Sequence, residues 1–514
     1  MKEDASREIV LVGAGPSGVT AARALLERGL RVTLLDAGNL FQIPTVSRSV
    51  LKGQGKTEYS FSKYINDQAT RKTNVSPKFF TELGSLINAR YKEENHISAK
   101  NFHLFGALAP GGLSAIWGGV VSPYTETELR SFPVKSSDLA SSYRTVGNRI
   151  GISGSQSDLY TEIPSGLRLM PALTLHPTAN YIAGRYKRKQ SKINRLGVRL
   201  GSPLQAVITE DHKSRFACDY RGTCLTGCSA GSVYNAAFEL PELMKHPNIT
   251  YYPETIVTRI FRDGHVWNLK TSSGSFYAGK VVLAAGTLAS TKLCLEALSL
   301  CNKPLQLLHN PVVAAGFLVP ACIRQNATTN AFAMAQLALQ VDMDDAGIDD
   351  AHALLYGTNG LYTSDLLEHM PFSTITSLGI LSTIKEALVP MTCFFPGSAS
   401  HSFVEFTGKR MEIRGGVQDS FPLMVKKAKR KITRAMQVLG GIFLPGSLAW
   451  APPGADLHYA GTLPMGKMTT DTCRVIDAPG LYVVDGSVLP DLPARPCTFT
   501  IMAIADYAMR KLEL

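Results

Sequence analysis

The chain has 514 residues, 45% of them hydrophobic and 18% charged, which is too long for one small domain and too apolar for a disordered segment. Its 53 basic against 41 acidic residues leave a net charge of +12, which points to an anionic ligand, an acidic partner or a polar membrane surface. No helix-turn-helix, zinc-finger or RNA-recognition pattern accompanies that charge, so nucleic acid is not expected as a partner. No apolar run reaches the roughly 18 residues of a membrane span; the longest, Pro311 to Ile323, is broken by Pro320.

The acidic start MKEDASRE lacks an apolar signal region, and nine cysteines at irregular spacing suit a reducing compartment, so a cytoplasmic protein is expected. The first element is the most informative. Ile9 to Val12 reads as a buried strand that stops at Gly13-Ala-Gly15-Pro16-Ser17-Gly18. A helical pattern runs from Val19 to Arg28, Gly29 caps it, and a second strand, Val32 to Leu35, ends on Asp36. A strand, GxGxxG, a helix and an acid at this distance make the dinucleotide fingerprint. Gly13 allows the tight turn, and Gly15 lets the backbone approach a pyrophosphate seated on the helix N-terminus. Gly18 allows close helix–strand packing. Asp36 accepts from the adenosine ribose and disfavours a 2′-phosphate, so the ligand reads as FAD or NAD rather than NADP.

Residues Asn39 to Asn101 show no clear periodicity and read as loops and short helices. Gly106 to Gly119 then packs five glycines into fourteen residues, including Gly111, Gly112 and Gly118 around Ser114 and Trp117. Such density signals backbone passing close to something, here the cofactor. A helical pattern follows over Phe132 to Ile152. The basic run from Arg185 to Arg199 and the cluster Lys426 to Lys431 read as solvated helix faces rather than phosphate sites. Cys218, Cys224 and Cys228 fall within eleven residues. Their spacing misses CxxC and a fourth ligand is lacking, so packed thiols are expected rather than a metal.

Thr250 to Arg262 and Val266 to Thr271 read as hairpin partners. Lys280 to Thr287 reads as a strand ending in the small residues Ala284, Ala285 and Gly286, followed by a helix from Ala289. Strands are expected at Phe317 to Cys322, Ala335 to Val341, Phe403 to Phe406, Arg410 to Ile413 and Leu481 to Val484, with a closing helix from about Thr500. No second GxGxxG follows a strand, which favours FAD as a resident carrier over a two-Rossmann arrangement.

His458-Tyr-Ala-Gly461-Thr462-Leu-Pro-Met465-Gly466, Arg474-Val475, Leu481-Tyr-Val-Val-Asp485-Gly486-Ser487 and Thr500-Ile501 occur in the order of one family's C-terminal block. With Gly111-Gly112-Leu-Ser-Ala-Ile-Trp117 and Val282-Leu-Ala-Ala-Gly286, the chain resembles the glucose–methanol–choline (GMC) oxidoreductases, in the form of bacterial sugar- or alcohol-oxidising members. These stretches are a minority of the chain.

The resemblance implies an α/β fold with a Rossmann-like FAD-binding domain, discontinuous in sequence (1–45, 100–130, 205–303 and 451–514). A mixed-sheet α+β substrate-binding or cap part takes 46–99, 131–204 and 304–450. It implies oxidation of a CH–OH group of a sugar, glycoside or polyol, with His458 taking the hydroxyl proton and the hydride passing to flavin N5. Gly13, Gly15, Pro16, Ser17, Gly18, Asp36, Gly111, Gly112, Ser114, Trp117, Gly118, Val257, Ala285, Gly286, Asp485, Gly486 and Thr500 are implied as cofactor-binding. The electron acceptor stays open between oxygen, a quinone and a protein.

Two positions depart from the pattern. Arg495 stands where members often carry a second His or Asn; arginine is no base at neutral pH, though it suits an anionic substrate. Ile116 stands where some members carry a flavin-linked histidine, so FAD is expected to be non-covalent. Competing readings are a lyase that keeps FAD as scaffold, a sterol-type alcohol oxidase, and a protein that binds an acidic partner.

Overall fold

The strand Ile9–Val12 is buried at every position because it is the middle of a five-stranded parallel sheet, covered on both faces. The strand order is Leu481–Val483, Lys280–Leu283, Ile9–Val12, Val32–Leu35, Ile249–Tyr252, with Val10 opposite Val281 on one side and Thr33 on the other. A computed structural model of the chain describes residues 7–39, 82–220, 222, 224, 228, 230–324, 332, 334–343, 349–358, 367, 370 and 372–513. The sequence expectation for the stretch from Asn39 therefore lies largely outside the described residues.

The helix Pro16–Glu27 starts with Pro16, whose missing N–H costs nothing in the first turn. It ends with Gly29 at φ +75°, the left-handed stop that the sequence predicts. It packs on the closing helix Thr498–Arg510, and the carbonyls of Met509 and, just past the helix, Leu512 accept from the Arg28 guanidinium at 2.7 and 2.9 Å. The helix Ser136–Ile150 packs on the same layer, with Tyr143 against Phe499 at 4.9 Å between ring centroids and Ser142 Oγ donating to Asp506 at 2.7 Å. Although it falls in the 131–204 stretch assigned to the cap, its apolar stripe of Leu139, Tyr143, Val146 and Ile150 belongs to the core of the nucleotide side.

The expected hairpin over Thr250 to Arg262 is corrected. Ile249–Tyr252 joins the parallel sheet beside Val32–Leu35, and only Val257–Asp263 pairs antiparallel with Val266–Thr271, which continues to Gly274–Ala278. Pro253 breaks the run and frees the two parts to join different sheets. The small-residue strand does lead into a helix, Thr287–Ala297.

The second large layer is a seven-stranded antiparallel sheet in the order Ile442–Phe443, Val312–Leu318, Leu388–Phe394, Ala351–Tyr356, Ala335–Val341, Val198–Gly201, with Ala449–Trp450 also paired to Val312–Leu318. The expected strand over Phe317 to Cys322 stops at Leu318, and Pro320–Cys322 turns instead. Alternation divides the sheet's side chains. Leu337, Leu339, Ala353, Leu355 and Met391 pack against the helices Pro177–Asn194 and Phe421–Leu439. On the other face Ala338, Leu354, Tyr356 and Phe394 turn toward the nucleotide side and join its core. Lys187, Arg188 and Lys189 of the first basic run are exposed on their helix. Cys218 and Cys224 pack against Leu173, Val207, Phe332 and Met334. No helix among the described residues is long and apolar enough to cross a membrane.

Candidate active site

A cavity of about 570 Å³ lies between the parallel sheet and the roofing sheet, and the fingerprint forms its floor. Gly13 has φ +100°, and a Cβ there would lie 2.5 Å from Ala284 O. A Cβ on Gly18 would lie 1.9 Å from Gly13 O, so this glycine sets the helix–strand distance and does not line the cavity. Gly15 is different. Nothing stands within 4 Å of its would-be Cβ, and it lines the cavity with Pro16 and Ser17. The same open space lies over Gly286 at φ +86°, beside Ala285. Gly15 caps the helix Pro16–Glu27 and Gly286 the helix Thr287–Ala297, so the space over both lies at helix N-termini, where the helix dipole favours an anionic group.

Asp36 lines the cavity at the end of its strand and accepts from Ala14 N–H at 3.3 Å and from Tyr251 Oη at 3.1 Å. Burial pushes its carboxyl up to about 6. Gly112, Ser114, Trp117, Gly118 and Val257 line the same volume. Gly111 does not; at φ +80° its would-be Cβ meets Asn235 Oδ1 at 2.0 Å, so it shapes the loop from behind. Ser114 Oγ donates to Gly111 O at 2.6 Å, and Trp117 Nε1 donates to Tyr234 O at 2.6 Å. Ile116 lies on the cavity wall.

Asp485 and Gly486 line the cavity, but the Asp485 carboxylate is occupied by the protein. It accepts from Gly286 N–H at 3.0 Å, from Ser290 Oγ, and from Ser487 N–H and Oγ at 3.1 and 2.7 Å. Its role is to clamp the Ala285-Gly286 loop onto the Asp485-Gly486 turn, and burial raises its pKa.

His458 lines the cavity with its ring stacked on Phe394, 5.7 Å between centroids. Its Nδ1 is 2.9 Å from Asn310 Oδ1. The Asn310 amide cannot be turned the other way, because its Nδ2 donates to Phe395 O at 2.8 Å and Pro493 O at 3.1 Å, which only accept. Nδ1 therefore carries the proton, and in the neutral ring the lone pair is on Nε2. Asp456 Oδ2 accepts from the backbone N–H groups of both His458, at 3.0 Å, and Asn310, at 2.8 Å, fixing the two residues against each other.

Arg495 is not brought to this cavity. Its neighbours Ala494, Pro496 and Cys497 line it, while Arg495 lines a second, polar cavity of about 970 Å³. Its Nε is 3.0 Å from Glu128 Oε1, Nη1 donates to Ser122 Oγ at 3.3 Å, and Nη2 donates to Gln340 Oε1. A buried guanidinium needs such partners, and these hold it away from His458. Thr500 does not line the cavity either; its Oγ1 bonds Tyr143 Oη at 2.7 Å, and Thr498 and Ile501 line it instead. Asn310, Asp456 and Phe394 were not anticipated from the sequence. No local motif marks them, because their roles exist only through contact with a residue up to 148 positions away.

The fold is Rossmann-like, and a histidine with a fixed tautomer lines the same cavity as the fingerprint glycines. Residues 11–48 match the NAD(P)-binding Rossmann-like domain, and residues 451–505 match the C-terminal GMC oxidoreductase domain. Over 98% of both chains the fold is similar to that of pyridoxine 4-oxidase from Mesorbium loti, with a TM-score of 0.61 at 15% identity. C-glycoside 3-oxidase of Arthrobacter globiformis is 33% identical over 95 residues, 17% of this chain and 18% of that one. A GMC-type oxidoreductase of Rhodococcus erythropolis is 39% identical over 61 residues, 11% of this chain and 12% of its own length. The matched stretches thus span less than a fifth of either relative. Residues 451–505 are thus similar to the C-terminal domain of the GMC oxidoreductases, a likeness that implies a flavin cofactor.

Proposed function

We propose that this protein is an FAD-dependent oxidoreductase that oxidises a CH–OH group of a sugar, glycoside or other polyol, with FAD held non-covalently. The carrying observation is that His458, its proton fixed on Nδ1 by Asn310, lines the same cavity as the Gly15 and Gly286 cradle. The residues present fit the cofactor. Gly15 and Ser17 would take the pyrophosphate, with Gly286 leaving open space in the same cavity, and Asp36 would take the adenosine ribose, with Gly112 to Gly118 along the isoalloxazine. Ile116 has no atom able to form a covalent link to the ring. When bound, FAD supplies the two-electron acceptor for the alcohol carbon.

The protein's own part is proton transfer and positioning. Nε2 of His458 takes the substrate hydroxyl proton, and the resulting imidazolium keeps its Nδ1–H on Asn310 throughout, so the ring does not reorient. Phe394 holds the ring plane, and Leu354, Tyr356 and Phe394 roof the cavity against water. Because Glu128 already neutralises Arg495, the substrate reads as a neutral alcohol rather than an anion. Two relatives named as oxidases support the redox reading over a lyase. Nine free cysteines fit a reducing, cytoplasmic setting.

His458→Ala tests the proposal directly. The variant should keep its flavin spectrum, while stopped-flow reduction by the best alcohol slows by at least ~100-fold. Unchanged reduction in this variant removes His458 from the chemistry. A wild-type flavin that no alcohol bleaches under anaerobic conditions removes the oxidation itself.

A further inference from the structure

The helices Pro177–Asn194 and Phe421–Leu439 carry five and six Lys or Arg residues and no Asp or Glu. The chain's net charge is +12, so nearly all of it resides on these two elements and the other residues are almost balanced. Their sequences read as two separate solvated faces, but the fold makes them one. Arg185 donates to Val438 O at 3.0 Å, and a Cβ on Gly197 would lie 2.6 Å from Lys431 Nζ, so the helices lie antiparallel and in contact.

Their apolar stripes, Ile182, Tyr186 and Ile193 on one and Val425, Ile432 and Met436 on the other, are buried against the roofing sheet. The outward face is basic. Lys187, Arg188, Lys189, Lys426, Arg430 and Arg434 are exposed, and among the described residues none of these six forms an ion pair. Asp158 and Asp342, which border the helices, are engaged elsewhere: Asp158 accepts from Tyr186, Gln190 and Asn194, and Asp342 pairs with Arg199. Apolar side chains stand at both ends of the second helix. Leu423, in its first turn, is 69% exposed. Trp450, edge-on to Phe421 at 5.4 Å, and Ile442, just past the helix, are exposed as well.

A nucleic acid backbone or an acidic peptide would satisfy the cations, but neither offers anything to Leu423, Ile442 and Trp450. A layer of anionic head groups over hydrocarbon satisfies both, and each basic side chain there adds about a factor of five in affinity. We propose that this face binds the surface of an anionic phospholipid bilayer, with the cations on the head groups and Leu423, Ile442 and Trp450 in the interfacial layer. The two helices cover the side of the roofing sheet opposite Leu354, Tyr356 and Phe394, so docking leaves the His458 cavity clear. None of the basic residues named lines that cavity, and the binding stands or falls apart from the oxidation.

The experiment is co-sedimentation of the holoenzyme with vesicles of phosphatidylglycerol and phosphatidylcholine in equal parts, or of phosphatidylcholine alone, at 0.1 M NaCl. Half-saturation should need at least about 30-fold less of the anionic lipid, and 0.5 M NaCl should weaken that binding by at least about 10-fold. Arg188→Gln, Lys189→Gln, Lys426→Gln and Arg430→Gln together should weaken it by at least about 100-fold, with the thermal midpoint and the rate of flavin reduction by alcohol as in wild type. Leu423→Ser should weaken it by about 3- to 10-fold. Wild type alone gives a further reading, because brominated phosphatidylcholine in the anionic vesicles should quench fluorescence that is absent in Trp450→Phe. Equal binding to both vesicle types, or to neither, overturns the inference, as does a four-residue variant that binds as wild type does. Tighter binding to poly-L-glutamate or to duplex DNA than to the anionic vesicles, with no quenching of Trp450, overturns it in favour of an acidic macromolecule.

Discussion

On the parallel-sheet side of the cavity, Gly13, Gly15, Gly18 and Gly286 matter by having no side chain, and the backbone sets the shape. On the sheet side, Leu354, Tyr356 and Phe394 line the cavity with their side chains, and the backbone only spaces them. The difference teaches where each half tolerates change. The glycine side depends on permitted φ values and closest approach, which an added methyl group disturbs. The sheet side depends on which side chains line the cavity and hold the His458 ring, as Phe394 does, and a swap there can leave the fold intact.

The largest effect expected from that contrast is at Gly18. Gly18→Ala places a Cβ 1.9 Å from Gly13 O and forces helix and strand apart, at a cost of about 3 kcal/mol or more. Denaturant unfolding should show the loss, together with purification of largely flavin-free protein. Gly15→Ala, three residues earlier at φ −73°, meets no protein atom within 4 Å. Its apoprotein should unfold as wild type does while FAD affinity falls, and equal damage in the two variants would break the distinction between packing and cradle glycines.

Next is Asp36. Its carboxyl is pushed from 3.8 up to about 6 by burial, so the folded apoprotein holds that proton more tightly than the unfolded chain. The resulting stabilisation is complete below about pH 4 and is lost as pH rises through 6, a change of roughly 3 kcal/mol. Asp36→Asn should flatten that part of the apoprotein's stability–pH curve and, at pH 7, raise its unfolding midpoint while weakening FAD binding. A curve with its slope intact between pH 4 and 6 would show that another group carries it.

On the sheet side, Asn310→Leu removes the acceptor that fixes the His458 tautomer and leaves the carbonyls of Phe395 and Pro493 without their donor. Flavin reduction should slow by about 10- to 100-fold, and stability should fall by about 1–3 kcal/mol. A stability loss with full reduction rate would separate Asn310 from the chemistry. Asp485→Asn should have a smaller effect. It keeps one carbonyl oxygen for the Gly286 and Ser290 donors, so a drop of about 1 kcal/mol and a modest loss of FAD affinity are expected, read by thermal unfolding with and without added FAD.

Legibility followed the same division. The strand, glycines, helix and acid from Ile9 to Asp36 were readable because all their constraints lie within 28 consecutive residues. His458 was readable as part of a motif. Arg495 was noticed as a departure, but its direction was not. That depended on Glu128, Ser122 and Gln340, which stand far off in the chain and draw the guanidinium into the second cavity. The same limit explains Thr250 to Arg262, where local composition suggested one strand and Pro253 divided it between two sheets.

By itself the sequence determined the strand, glycine turn and helix of the Rossmann-like fold, because backbone freedom and residue chemistry are local properties. Only the tertiary structure decided which nitrogen of His458 holds the proton, that Arg495 is paired elsewhere, and that Asp456 holds His458 and Asn310 against each other. Those are properties of pairs of groups brought together by strand order and register, and no single stretch of chain contains both members.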